Sequence, residues 1–145
     1  MHEWKKSFAD QMGKLRTHWE VSFEQFADET LRSVFDEFAD FVSRYDFQAS
    51  VPREQAGMRS FKFALGEDNY VLMTFKPAKA GEFTVESELF CPGQGRLEPI
   101  QDFVAAGVAD REWVEGCFQK ALDRLVARLA HRVGTGREHQ EPAMA

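Results

Sequence analysis

The chain has 145 residues, of which 43% are hydrophobic, and a formal net charge of −6. This length suits one domain that can bury a core without disulfides or metals, and the negative charge argues against nucleic acid or an anionic membrane as the main partner. Since the chain contains neither an apolar run of membrane-spanning length nor a leader of secretory type, we expect a cytoplasmic protein.

The aromatic residues are unusual, with 14 Phe and 3 Trp against only 2 Tyr. Phe has no polar group, so most of these rings must be buried in the core or against a partner. The two cysteines, Cys91 and Cys117, show no paired spacing, and free thiols are expected rather than a disulfide.

Residues 3–45 contain no Pro and predict one long helix, although Gly13 leaves open a break near that position. Its first half carries a narrow apolar stripe with steps of four and three residues. From Leu31 onward the stripe widens and rotates, and it ends with Phe41, Val42 and Tyr45. A narrow stripe suits a helix-to-helix seam and a wide one suits a helix lying on a sheet. The narrow spacing extends to Phe23 and Phe26, and we name its first five residues the narrow stripe: Trp4, Phe8, Met12, Leu15 and Trp19.

Residues 47–90 change to period two and predict four antiparallel strands joined by short turns, with Pro52 ending the first strand. Residues 97–108 fit a short helix as well as an edge strand, so a fifth strand remains open. One face of the sheet should be apolar and the other polar.

Residues 110–133 predict a second helix, with Asp110 as its N-cap and Gly134 after its end. The polar segment 134–145 is expected to be disordered. The predicted fold is therefore α+β: a single domain over residues 1–133, with both helices on the same face of the sheet.

The sequence contains no catalytic, cofactor or metal motif. Glu82, Glu86 and Glu88 alternate along the last strand of the meander and fit a solvated face better than an acid/base pair. Neither cysteine has a histidine near it in sequence. We therefore expect a protein that is not an enzyme and that binds no cofactor or metal.

The length of the first helix is the strongest functional feature. More than 40 residues at about 1.5 Å each exceed the width of a small domain, so the narrow stripe should project beyond the sheet. It would then pack on the last helix, on a second copy or on another protein. Residues 1–19 carry a net charge of +2 and residues 20–46 carry −6, which indicates either a solvated face or an antiparallel second copy.

These features predict a homodimeric interaction or adaptor protein whose partner interface is the narrow stripe. The alternative is a ligand-binding domain or small enzyme with a pocket between sheet and helices, lined by Phe61, Phe63, Met73 and Phe83. A third possibility is a small acidic chaperone or inhibitor that captures an extended peptide on a sheet edge.

Overall fold

The computed structural model describes residues 1–79, 81–93 and 97–131; beyond these ranges it defines only backbone, at residue 80, in one short strand and at the end of the last helix. It confirms the predicted α+β fold, with a long N-terminal helix, an antiparallel sheet and a C-terminal helix. The tail predicted to be disordered, residues 134–145, and the predicted helix end at Gly134 lie outside the described residues.

The long helix runs through α1 (His2–Phe26), a π-turn (Ala27–Leu31) and α2 (Arg32–Ser43). It does not break at Gly13. The π-turn closes i→i+5 hydrogen bonds and so accommodates one extra residue per turn. Phe23, Ala27 and Leu31, four residues apart, are consequently all buried on one face. The π-turn lies where the sequence stripe rotates.

Strands β1 (Gln48–Gln55), β2 (Met58–Leu65), β3 (Asn69–Pro77) and β4 (Glu82–Cys91) form the predicted antiparallel meander. The prediction that Pro52 ends the first strand is wrong. Strand β1 continues to Gln55 with a shift of register between Ser50 and Arg53. Because β1 is an edge strand, a residue without an N–H is tolerated there.

The other edge of the sheet is formed by β5 (Gly95–Arg96) and β6 (Ile100–Ala105), which pair with different parts of β4. The ambiguity at residues 97–108 is thereby resolved in favour of an edge strand over residues 100–105. Val104 packs against the core, whereas the preceding residue, Phe103, is exposed.

The last helix, α3 (Arg111–Met144), begins as predicted, with the Trp113 N–H donating to the Asp110 carboxylate at 2.9 Å. It lies on the same face of the sheet as α2. The centroid of the Phe118 ring is 5.7 Å from that of Phe61 on β2 and 6.3 Å from that of Phe35 on α2. Phe118 therefore connects both helices to the sheet.

Candidate interaction surfaces

The first candidate surface is the overhang, which we define as residues 2–18 of α1. Every side chain in it is exposed except Met12, which is half-buried. Trp4 and Phe8 are 61% and 51% exposed, and their rings stack on each other with centroids 5.2 Å apart. Together with Leu15 and the half-buried Met12 they form an apolar stripe that the described part of the chain leaves largely exposed.

Trp19, the fifth residue of the predicted interface, instead packs within its own chain. Its indole ring lies over Gly81, in the turn between β3 and β4; a Cβ added to Gly81 would be 2.8 Å from Trp19 Cε2 and Nε1. The helix therefore meets the sheet at Trp19, and the overhang consists of the residues that precede it.

The second candidate surface is an apolar groove between α2 and α3, with a volume of about 790 Å³. Its walls are the end of α2 with the turn that follows it and the second half of the described part of α3; one residue before β1 and one at the end of β2 complete it. Among the described residues that line it, Asp123 is the one with a charge. The apolar lining comprises Phe38, Phe41, Val42, Tyr45, Phe47, Leu65, Leu122, Val126, Leu129 and Ala130.

The groove was not predicted from the sequence. Phe41 and Tyr45 were assigned to the wide stripe that lies on the sheet, yet they are 52% and 61% exposed. The wide stripe extends further around the helix than the sheet covers. The excess of apolar residues at this end of the helix was the signal that could have revealed an open surface.

The four residues predicted to line a pocket between sheet and helices are buried in the core. Phe61, Phe63, Met73 and Phe83 are each 2% exposed or less and belong to the continuous core. The Phe83 ring contacts that of Phe23 at 5.3 Å between centroids, and the Phe61 ring contacts that of Phe75 at 5.8 Å. These side chains pack on one another instead of lining the groove.

The charged residues between the sheet and the long helix form ion pairs with one another. The Arg59 guanidinium, almost buried on β2, lies 3.2 Å from the Glu24 carboxylate and 3.3 Å from that of Asp28, and so connects the sheet to the long helix. Within the described part of the chain, no group of three or more His, Cys, Asp or Glu side chains is placed to hold a metal ion.

Both cysteines are free and buried. Burial, with a smaller contribution from the charge of Asp102, raises the pKa of the Cys117 thiol to about 12. The thiolate is the nucleophilic form, so this cysteine is unreactive at neutral pH.

Comparison with protein-family models, with curated proteins and with solved structures finds no match to this chain. Across the described residues, no helix combines the length and the hydropathy that crossing a membrane requires.

Proposed function

We propose that the protein is a non-enzymatic interaction protein that forms a homodimer through the overhang. The observation that supports this most directly is the exposure of Trp4, Phe8 and Leu15 on a helix that extends beyond its own domain. The overhang is about 25 Å long at 1.5 Å per residue. An isolated helix of this length is only marginally stable in water.

The energetics favour a covered overhang. Burying a large apolar side chain contributes roughly 1.5–3 kcal/mol, so covering Trp4, Phe8, Met12 and Leu15 would stabilise both the association and the helix itself. Large side chains on one face of a helix can also act as the anchors that contribute most of the binding energy of a protein interface. A second copy is the simplest partner, because it is present wherever the protein is. The proposed compartment is the cytoplasm, with which two free thiols are compatible.

The groove supports a second candidate function, the binding of a small apolar ligand. Ligand sites are concave, mostly apolar and about 300–1,000 Å³ in volume, and the α2/α3 groove meets these criteria. This candidate leaves the overhang without a role. Capture of an extended peptide would instead use an edge of the sheet, along β1 or β6.

The double substitution Trp4→Ala and Phe8→Ala tests the proposal. The wild-type protein is expected to sediment as a dimer at micromolar concentration, and the double variant as a folded monomer. The fold should survive because neither ring contributes to the buried core. The measurements are sedimentation velocity for the mass and circular dichroism for the fold.

Val21→Ala is the matched control. Val21 is an exposed apolar residue of the same helix that lies off the stripe, so its removal should leave the mass of the dimer unchanged. A wild-type protein that sediments as a monomer would refute the proposed homodimer, as would a double variant with the wild-type mass.

A further inference from the structure

The groove between α2 and α3 leaves a large apolar surface open, and the proposed homodimer provides something to fill it. We propose that the groove of each copy receives the overhang of the other, so that two identical contacts form around a two-fold axis. This inference rests on the proposed function, because it requires that the overhang mediates self-association. It adds which surface the overhang meets.

The dimensions of the two surfaces agree. From Trp4 to Leu15 the stripe covers eleven helical steps, or about 16 Å. Over its described residues, Gln119 to Ala130, the α3 wall of the groove also covers eleven steps, and the α2 wall, from Phe38 to Tyr45, covers seven, or about 10 Å. An amphipathic helix presenting side chains at steps of three and four is the element that fits an apolar groove between two helices.

The charge of the overhang is complementary to that of the α2 wall of the groove. The first 19 residues carry a net charge of +2, and Lys5 and Arg16 lie within about a quarter turn of the stripe on the helix. Beside the groove, residues 36–46 of the α2 wall hold four acidic residues and one Arg, a net −3, whereas residues 119–130 of the α3 wall hold three basic residues and Asp123, a net +2. Opposite charges around an apolar contact select this pairing and oppose a parallel one, in which like ends would meet.

The placement of the two surfaces permits a closed dimer. The overhang and the α2 wall of the groove occupy opposite ends of one continuous helix. When two copies of this helix run antiparallel, each overhang therefore lies beside the other copy's α2. A two-fold axis makes the two contacts identical and leaves neither apolar surface open, so assembly stops at two copies.

Exposed aromatic side chains lie on both surfaces of each copy. Each copy contributes both an overhang and a groove, which doubles the surface that a single contact would bury. Aromatic side chains bury about 150–250 Å² each, and each copy contributes Trp4 and Phe8 on one surface and Phe41 and Tyr45 on the other. These four side chains are only 51–61% exposed, so they supply about half of the roughly 800 Å² per partner that specific interfaces bury, and the rest falls to the other residues of the stripe and the groove.

Substitution of the groove tests this inference separately from the proposed function. The double variant Phe41→Glu and Val126→Glu places two carboxylates in the groove and leaves the overhang intact. Both residues are about half exposed, so the domain should still fold. We expect its sedimenting mass to be half that of the wild type. Phe103→Glu, at an equally exposed residue on β6, is the control and should remain dimeric.

A mixing experiment then identifies the contact. The groove variant retains a normal overhang, and the Trp4→Ala, Phe8→Ala variant retains a normal groove. Each is expected to be monomeric alone, whereas an equimolar mixture should form a heterodimer held by one intact contact. Oxidation of a mixture of Phe8→Cys and Phe41→Cys proteins should likewise yield a mixed disulfide, and Ile100→Cys in place of Phe41→Cys should yield none.

The outcomes separate the two proposals. If the overhang variant is monomeric but the groove variant keeps the wild-type dimer mass, the overhangs pack on each other. The proposed function then stands and the groove assignment fails. Cross-linking of Phe8→Cys to itself, with no mixed product, would lead to the same conclusion. A wild-type protein that is already a monomer would overturn both.

Discussion

Gly81 shows how a single residue fixes where the long helix leaves the domain. Its φ of +71° lies in the left-handed region, and the Trp19 indole occupies the space that a side chain would need. Its carbonyl also accepts a 2.8 Å hydrogen bond from the Ala106 N–H, just after β6. No sequence pattern could have linked Trp19 to Gly81, because the contact joins residues 62 positions apart.

We expect Gly81→Ala to destabilise the domain more than Gly57→Ala does. Gly57 has a similar φ of +74° but no neighbouring atom within 4 Å of an added Cβ, so its substitution costs only the left-handed backbone, about 1–2 kcal/mol. At Gly81 the displaced indole should add about 1–3 kcal/mol. Urea unfolding at one fixed protein concentration measures the difference.

The same comparison in a Trp19→Ala background isolates the steric contribution. Without the indole, the two glycine substitutions should cost nearly the same free energy of unfolding. An excess for Gly81→Ala that persists in that background would show that Trp19 is not the cause.

At the scale of the elements, sequence periodicity was most reliable where one face is fully buried. Val71, Met73 and Phe75 alternate with half-buried residues along β3, so period two appears directly in the sequence. The π-turn was visible only indirectly, as a rotation of the helical stripe near Leu31. The exposed positions of Phe41 and Tyr45 could not be predicted, because they depend on where α3 lies relative to α2.

Deletion of Glu29 tests the role of the π-turn. Glu29 is exposed within it, and its removal leaves Phe23, Ala27 and Leu31 separated by four and three residues, which is the spacing of a regular α-helix. We expect the turn to become α-helical and the free energy of unfolding to change by less than about 1 kcal/mol. Circular dichroism and urea unfolding provide the measurement.

Deletion of Lys120 is the corresponding control in a regular helix. This residue is also exposed, but its loss would rotate the two halves of α3 relative to each other by about 100°. Leu122 and Leu125 would leave the core, which should lower the free energy of unfolding by several kcal/mol. Equal destabilisation by both deletions would contradict the idea that the π-turn absorbs one residue.

At the scale of the whole molecule, the overhang should be ordered only in the dimer. Backbone amides of residues 2–18 are expected to exchange slowly with deuterium in the wild type and quickly in the Trp4→Ala, Phe8→Ala variant, since a short isolated helix frays. Amides of β3, in the middle of the sheet, should exchange equally slowly in both proteins. Hydrogen-exchange mass spectrometry measures both regions. Fast exchange of the overhang in both proteins would refute the prediction.

The two walls of the groove come from distant parts of the chain, residues 38–45 and residues 119–130. During translation the overhang leaves the ribosome before the second wall, which follows it by about 100 residues. Until α3 emerges, a nascent chain has an apolar helix end but no groove with which to receive another. In the proposed dimer, neighbouring nascent chains on one messenger RNA would therefore be unable to exchange their helices reciprocally, and we expect pairing only when at least one chain includes α3.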